Sequence, residues 1–155
     1  MNHSSRYLSE VSKIAKLIKA DEIENMAQAL CDLRDRGGRL FFLGLGGSAA
    51  NASHAVNDFR KLCNIEAYAP TDNVAELTAR ANDEGWTSIF SEWLAGSRAC
   101  QEDGLFVLSV GGGTNKVSKP LKRAVRLVLS GYVEIFGIVG RDGGYTKTMG
   151  DHVIV

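Results

Sequence analysis

The sequence predicts an α/β fold in which helices cover both faces of a parallel sheet. Short, continuous apolar runs such as 40–43 and 105–108 alternate along the chain with longer segments of helical periodicity. The chain has 17 glycines but only 2 prolines, and clusters of glycine follow the apolar runs, as tight turns within a folded domain require. A length of 155 residues suits one domain with a sizeable core.

Each element can be placed in order. Two helices are predicted within residues 1–36, with Asp21 and Glu24 capping the start of the second and Gly37 ending it. These helices have no obvious place in the sheet layers, so we predict that they pack against another subunit. The predicted strands are 39–44, 64–68, 105–109, 132–139 and 153–155. The helices predicted between them are 49–61, 73–80, 84–98, a segment that follows Thr114 and runs to about 129, and a turn at 145–149.

Charge and hydropathy exclude several classes of function. The 18 basic residues balance the 18 acidic ones, so there is no basic field to attract nucleic acid. No apolar stretch approaches the roughly 20 residues that span a bilayer, and the N-terminus has no signal-peptide pattern. Cys31, Cys63 and Cys100 are far apart and lack metal-ligand spacing, which is typical of reduced thiols. We therefore predict a cytoplasmic protein without nucleic-acid or membrane partners.

The strongest motif is the glycine turn 44–48, between the first predicted strand and the helix after it. Backbone N–H groups and the helix dipole converge there, and Ser48 adds a hydroxyl donor, which favours an anion site. A turn whose glycines serve only geometry would show the same pattern. The motif is not a P-loop, because no Gly-Lys-Ser/Thr follows. Ala49 stands where a dinucleotide fingerprint needs its third glycine, so an oxidoreductase is a weak alternative.

The segment 109–114 repeats this design after a later strand. Two such loops at the carboxyl ends of parallel strands are predicted to form one anion pocket at a switch point of the sheet. Ser109 and Thr114 would donate hydrogen bonds to a phosphate, and free backbone N–H groups of the loop would add more. The alternative is an unrelated flexible turn.

Four motifs in the same order resemble those of the phosphoheptose isomerases, members of the sugar-isomerase (SIS) family. Residues 46–54, with Gly44 and Leu45 before them, are similar to Gly-Asn-Gly-Gly-Ser-x-x-Asp-Ala-x-His, and 77–85 to Leu-Thr-Ala-x-x-Asn-Asp-x-Gly. Residues 109–114 stand where the family has Ser-Thr-Ser-Gly-Asn-Ser, and 140–144 match Gly-Lys-Asp-Gly-Gly. The motifs cover most of the chain from residue 37 onward.

The resemblance implies a flavodoxin-like SIS domain, a three-layer αβα sandwich with a five-stranded parallel sheet. It divides the chain into N-terminal helices at 1–36 and a phosphosugar-binding domain at 37–155, and it implies a homotetramer. It also implies an isomerase that converts sedoheptulose 7-phosphate to D-glycero-D-manno-heptose 7-phosphate through an enediol. Positions that contact the substrate or its phosphate in the family fall on Leu45, Gly46, Gly47, Ser48, Asn82, Asp83, Ser109, Val110, Gly111 and Thr114.

The metal and catalytic positions of the family fall on two residues. His54 stands at a zinc-ligand position, and Asp58 stands where a glutamate is both zinc ligand and catalytic base. Four residues apart, the two share one face of a helix, and imidazole and carboxylate are suitable zinc ligands. From spacing alone, however, such a pair is more typical of a helix surface.

The chain departs from the family pattern in several places. Leu45 replaces an asparagine, Gly111 and Gly113 replace a serine and an asparagine, and Asp58 is one methylene shorter than glutamate. We also expect the chain to lack the family's last helix, which carries a glutamine and a histidine of the site. These departures leave open an alternative, a sugar-phosphate-binding or regulatory module without turnover.

Overall fold

The computed structural model describes residues 2–155, which form a five-stranded, all-parallel sheet. The strand order is β2-β1-β3-β4-β5. The strands are β1 (Leu40–Leu43), β2 (Ala67–Tyr68), β3 (Gly104–Ser109), β4 (Glu134–Val139) and β5 (His152–Ile154). The predicted fold class is therefore confirmed.

Helices cover both faces of the sheet. They are α1 (His3–Leu17), α2 (Ala20–Asp35), α3 (Gly47–Leu62), α4 (Val74–Asp83), α5 (Ile89–Gly96), α6 (Lys119–Leu129) and α7 (Gly144–Met149), with single 3₁₀ turns at Pro70–Asp72 and Trp86–Ser88. None of the helices in the described part of the chain is long and apolar enough to cross a membrane.

The core lies in two layers because successive side chains of a strand point to opposite faces. Along β1, Leu40 and Phe42 enter the layer beneath α2 and α3, while Phe41 and Leu43 enter the layer beneath α5 and α6. All four are almost fully buried, which explains why this strand is a continuous apolar run. In the first layer, the Phe42 ring lies 5.1 Å from that of Phe106 on the neighbouring strand.

The two N-terminal helices differ in how they pack. The structure corrects the idea that neither has a place in the sheet layers, because α2 buries Met26, Ala29 and Leu33 in the first core layer. These residues recur at helical spacing and so form one apolar face. Helix α1 buries no residue. Its packing against another subunit stays a prediction.

Several helix starts differ from the predicted ones. Helix α2 begins at Ala20 after Lys19, so Asp21 and Glu24 lie inside the helix and do not cap it. Asp21 instead places a carboxylate in the first turn, where the helix dipole favours negative charge. Helix α4 begins at Val74, and the side chain of Asn73 caps it by accepting a hydrogen bond from the backbone N–H of residue 76.

The helix predicted to follow Thr114 directly begins later, because α6 starts at Lys119. Thr114 and Val117 close a local turn instead, with the Thr114 N–H donating to the Val117 carbonyl at 2.8 Å and the Val117 N–H donating to the Thr114 hydroxyl at 2.9 Å. Pro120 then occupies the first turn of the helix, the position in a helix that proline tolerates.

Candidate functional site

A pocket of about 660 Å³ opens at the carboxyl ends of β1 and β3. The strand order reverses at this point, because the chain passes from β1 to β2 on one side of the sheet and later returns to β3 on the other. In open α/β sheets, ligands bind at such a switch point. Six of the predicted substrate residues line the pocket together: Leu45, Ser48, Ser109, Val110, Gly111 and Thr114.

The first glycine loop presents the amino-terminal end of α3. Gly46 precedes the helix with a φ of +62°, a conformation that favours glycine. The N–H groups of Ala49 and Ala50 bond to the Gly46 carbonyl. Those of Gly47 and Ser48 find no acceptor among the described residues, as is usual for the first turn of a helix. Two backbone donors and the helix dipole are thus available to an anion.

The second glycine loop is folded over its own serine. The Ser109 hydroxyl oxygen accepts hydrogen bonds from the N–H groups of Gly111 at 3.4 Å and Gly112 at 3.1 Å. This corrects the prediction that the N–H groups of this loop are free, since two of them are used internally. The Ser109 hydroxyl keeps its own proton to donate, and the Gly113 N–H has no acceptor among residues 2–155.

Thr114 is less free to donate to a ligand than the sequence indicated. Its hydroxyl oxygen accepts from the N–H groups of Lys116 and Val117 at 3.1 and 2.9 Å and lies 3.3 Å from the Val117 carbonyl. The side chain therefore holds the turn after the loop. Of the two predicted hydroxyl donors, Ser109 is the one whose proton has no acceptor among the described residues.

The segment 140–146 holds the second glycine loop in place through backbone hydrogen bonds. The Gly140 N–H donates to the Ser109 carbonyl at 3.2 Å, and the Thr146 N–H donates to the Gly112 carbonyl at 3.0 Å. A Cβ at Gly112 would overlap the carbonyl of Gly143. The sequence showed these glycines only as a family motif, whereas the structure shows that close backbone contact requires them.

His54 and Asp58 lie on the outer face of α3 and do not line the pocket. The His54 Nε2 is 3.2 Å from the Asp58 Oδ2, and the two side chains are 79% and 42% exposed. Their donor atoms suit zinc, but catalytic zinc takes three protein ligands. No group of three or more His, Cys, Asp or Glu side chains within residues 2–155 could hold a metal ion. The residues described here therefore do not make a complete zinc site.

Asn82 and Asp83 also lie outside the pocket. They end helix α4, where the Asn82 side-chain amide donates to the Asp83 carboxylate at 2.7 Å, and both residues are exposed. The structure thus brings residues of both glycine loops together in the pocket. Gly46 and Gly47, the predicted metal pair and this amide–carboxylate pair do not line it.

Sequence comparison identifies the family to which this chain belongs. No family model matches the chain. The phosphoheptose isomerase of Fusobacterium nucleatum is 30% identical, in an alignment that covers all of this chain and 81% of that protein. The chain belongs to the phosphoheptose isomerase family. A second phosphoheptose isomerase, from Chlorobaculum tepidum, is 31% identical over 88% of this chain and 66% of its own length. Family membership makes the chain an enzyme, a phosphosugar isomerase with an SIS fold.

Solved structures support the fold independently. The phosphoheptose isomerase of Neisseria gonorrhoeae superposes with a TM-score of 0.83 at 24% identity, covering 97% of this chain and 80% of that one. The corresponding protein of Francisella tularensis gives 0.81 at 22% identity, covering 97% and 82%. The NanR protein of Vibrio vulnificus, solved with ManNAc-6P, shares the fold more distantly, with a TM-score of 0.65 at 14% identity over 96% of this chain and 47% of that one.

The pocket of this chain also includes three charged residues that were not among the predicted site residues. Arg141 and Asp142 line it from the turn after β4, and Lys116 lines it from the turn before α6. Arg141 has a φ of +59°, which is uncommon for a residue with a side chain. The available signal was the motif at 140–144, which has an arginine where the family pattern has a lysine.

Proposed function

We propose that this chain interconverts sedoheptulose 7-phosphate and D-glycero-D-manno-heptose 7-phosphate. The observation that supports this most directly is the pocket at the switch point, where two glycine loops meet, in a chain of the phosphoheptose isomerase family. A volume of about 660 Å³ falls in the range of pockets that enclose small ligands. We further propose a cytoplasmic homotetramer, as the resemblance implies.

In this proposal the glycine loops bind the phosphate group of the substrate. The backbone N–H groups of Gly47 and Ser48 and the Ser109 hydroxyl are donors with no acceptor among the described residues. Hydrogen bonds to an ionised phosphate are roughly twice as strong as neutral ones. The phosphate end is thereby held near the sheet, and the reacting carbons lie farther out.

The isomerisation moves one proton between neighbouring carbons. A carboxylate removes the proton from C1 of the ketose, the hydroxyl proton shifts within the resulting enediol, and a proton returned to C2 completes the aldose. Asp58 is the base that the resemblance proposes. Zinc, with His54 and Asp58 as two of its ligands, stays a proposal from the resemblance, and no step is assigned to it here because two donors do not complete a site.

A second candidate function is a sugar-phosphate-binding or regulatory module without turnover. Two observations favour it: Gly111 and Gly113 remove side-chain donors from the phosphate loop, and Asp58 lies outside the pocket of its own chain. Such a module would bind the sugar phosphate and gain stability from it, by RT ln(1 + [L]/Kd), without converting it.

One experiment separates the two functions. Sedoheptulose 7-phosphate is incubated with the protein in deuterium oxide, with and without added zinc, and followed by NMR. The proposal expects the aldose to form with solvent deuterium at C2. Saturable binding without conversion or exchange in either condition would refute the isomerase proposal and support the binding module. Conversion confined to the zinc sample would support the proposed cofactor.

A further inference from the structure

Arg141 lies in the wall of the pocket, and its guanidinium has no partner among the described residues. The residue lies in the turn between β4 and α7 and lines the pocket together with Ser109 and Gly111. Within residues 2–155, its side chain makes no ion pair and no hydrogen bond. An exposed arginine with five free donors at the mouth of an anion pocket is well suited to a phosphate.

The backbone at Arg141 is held in a conformation that does not suit an arginine. Its φ of +59° lies in the left-handed region, and the turn is closed by a 3.0 Å hydrogen bond from the Gly143 N–H to the Gly140 carbonyl. Glycine would adopt this φ without steric conflict. Strained residues of this kind cluster at functional sites, but the backbone alone does not single out Arg141, since Arg98 shares it.

The guanidinium stands beside the place where the phosphate loop lacks a side chain. A Cβ built on Gly111 would lie 3.9 Å from both the Cδ and the Nη1 of Arg141. Gly111 stands where the family pattern has a serine, so a hydroxyl donor is absent there. Arg141 thus brings charged donors to the part of the loop that has lost a neutral one.

The charges of the pocket agree with a dianionic ligand. The charged residues that line the pocket are two cations, Arg141 and Lys116, and one carboxylate, that of Asp142. The Asp142 carboxylate accepts a hydrogen bond from the Gly144 N–H at 3.1 Å. The pocket therefore has an excess of positive charge, and a phosphate monoester carries close to two negative charges at neutral pH.

We infer that Arg141 binds the phosphate group of the sugar phosphate and sets the preference of this pocket for phosphorylated over neutral sugars. The guanidinium takes the place of the side-chain donor that the loop lacks at Gly111. This inference rests on the proposed function, because it assumes that the pocket holds a sugar phosphate.

The test compares binding by titration calorimetry in four proteins: wild type, Arg141→Gln, Arg141→Gly and Arg98→Gln. Arg98 is a matched control, since it also has a left-handed backbone, with a φ of +53°, and lies outside the pocket. The probes are sedoheptulose 7-phosphate, inorganic phosphate and neutral sedoheptulose. Arg141→Gly removes the side chain and suits the left-handed backbone, and circular dichroism of each variant checks that it is folded.

Both Arg141 variants are expected to raise the Kd for sedoheptulose 7-phosphate by about 10- to 100-fold, with a parallel loss for inorganic phosphate and none for the neutral sugar. Their affinity should also depend less on salt concentration than that of the wild type. Arg98→Gln should bind like the wild type. Wild-type affinity in both Arg141 variants would overturn the inference and leave the proposed function standing. A wild-type protein that binds neither phosphate probe would instead refute the proposed function itself.

Discussion

Thr146 holds the second glycine loop, residues 109–114, through the carbonyl group of Gly112. The Thr146 hydroxyl donates to this carbonyl at 2.7 Å and the Thr146 backbone N–H donates to it at 3.0 Å, and the threonine is fully buried. A neighbouring bond, from the Tyr145 N–H to the Gly113 carbonyl at 2.9 Å, continues the contact. The first turn of α7 is thereby fastened to the loop that we propose binds phosphate, so the shape of the loop depends on a residue that does not line the pocket.

Replacing the Thr146 hydroxyl tests whether the shape of the loop depends on it. Thr146→Val keeps the volume but removes a buried donor, and we expect a loss of about 1–2 kcal/mol in the free energy of unfolding, together with weaker binding of sedoheptulose 7-phosphate. Urea unfolding and titration calorimetry measure the two effects. Thr148→Val is the matched control, because Thr148 is exposed and its hydroxyl bonds within its own helix. Equal stability of the two variants would contradict the role given to Thr146.

Gly112 should tolerate no side chain. Its φ is +62°, and a Cβ there would overlap the Gly143 carbonyl. We expect Gly112→Ala to lower the free energy of unfolding by at least about 3 kcal/mol, because backbone strain and overpacking add together.

The control for this substitution is Gly37→Ala. Gly37 has a similar φ of +74°, but nothing lies within 4 Å of the place where its Cβ would be. It therefore isolates the conformational cost, about 1 kcal/mol. Chemical denaturation of both variants gives the difference. Similar losses in the two would show that the contact between the glycine segments adds nothing.

How far the sequence predicts this fold depends on whether an element is defined by local pattern. The run 40–43 shows by itself that β1 is buried on both faces, and Gly37 correctly ends α2, its N–H donating to the Arg34 carbonyl at 2.9 Å. The periodicity of α2 also indicated its apolar face, but it did not indicate that this face packs on the sheet. Hydrophobic periodicity indicates the type of an element and its apolar face, but it does not indicate which other element packs against that face.

The candidate site was predictable only in part for the same reason. The two glycine loops follow strands in the sequence, and parallel strands bring their carboxyl ends together. In contrast, the hydrogen bond from Thr146 to Gly112 joins residues 34 positions apart. The approach of Arg141 to Gly111 likewise depends on the register that pairs Ser109 with Val139. Neither contact leaves a local signal.

Asp58 is the residue on which the proposed chemistry depends. Asp58→Asn keeps the shape of the side chain but removes the base, so we expect the rate of isomerisation to fall by about 10²- to 10⁴-fold while sedoheptulose 7-phosphate still binds. The loss is measured by NMR in deuterium oxide and the binding by calorimetry. Asp142→Asn is the comparison, because Asp142 is a carboxylate within the pocket. Full activity in Asp58→Asn with loss in Asp142→Asn would transfer the role of base to Asp142.

Helix α1 should serve contacts between subunits. Its apolar residues stay exposed in the single chain, among them Leu8 at 65% and Ile14 at 59%. We expect the protein to be a homo-oligomer, a tetramer by the resemblance, and the double variant Leu8→Glu, Ile14→Glu to lower its mass in solution without unfolding it. Light scattering and circular dichroism measure the two. Lys13→Glu changes a polar position of the same helix and should leave the mass unchanged. A monomeric wild type would contradict the prediction.

An ion pair between Arg39 and the buried Asp103, just before β3, should make stability depend on pH. Asp103 is 2% exposed and accepts hydrogen bonds from the Arg39 side chain, the Arg39 N–H and the Cys100 N–H. Burial alone would raise the pKa of Asp103, but these hydrogen bonds and the charge of Arg39 outweigh it, so the pKa lies below its usual value.

A folded-state pKa below the unfolded one means that the charged form stabilises the fold. This contribution is complete above the unfolded pKa of about 3.9 and is lost as the pH falls through the lower, folded value. Asp103→Asn should therefore be less stable by about 2–4 kcal/mol at pH 7, with the difference narrowing below about pH 4. Urea midpoints between pH 3 and 7 measure it. Asp35→Asn, which removes an exposed partner of Arg34, should unfold at nearly the wild-type urea midpoint throughout this pH range. A difference that is constant across this range would show that the Asp103 charge contributes nothing.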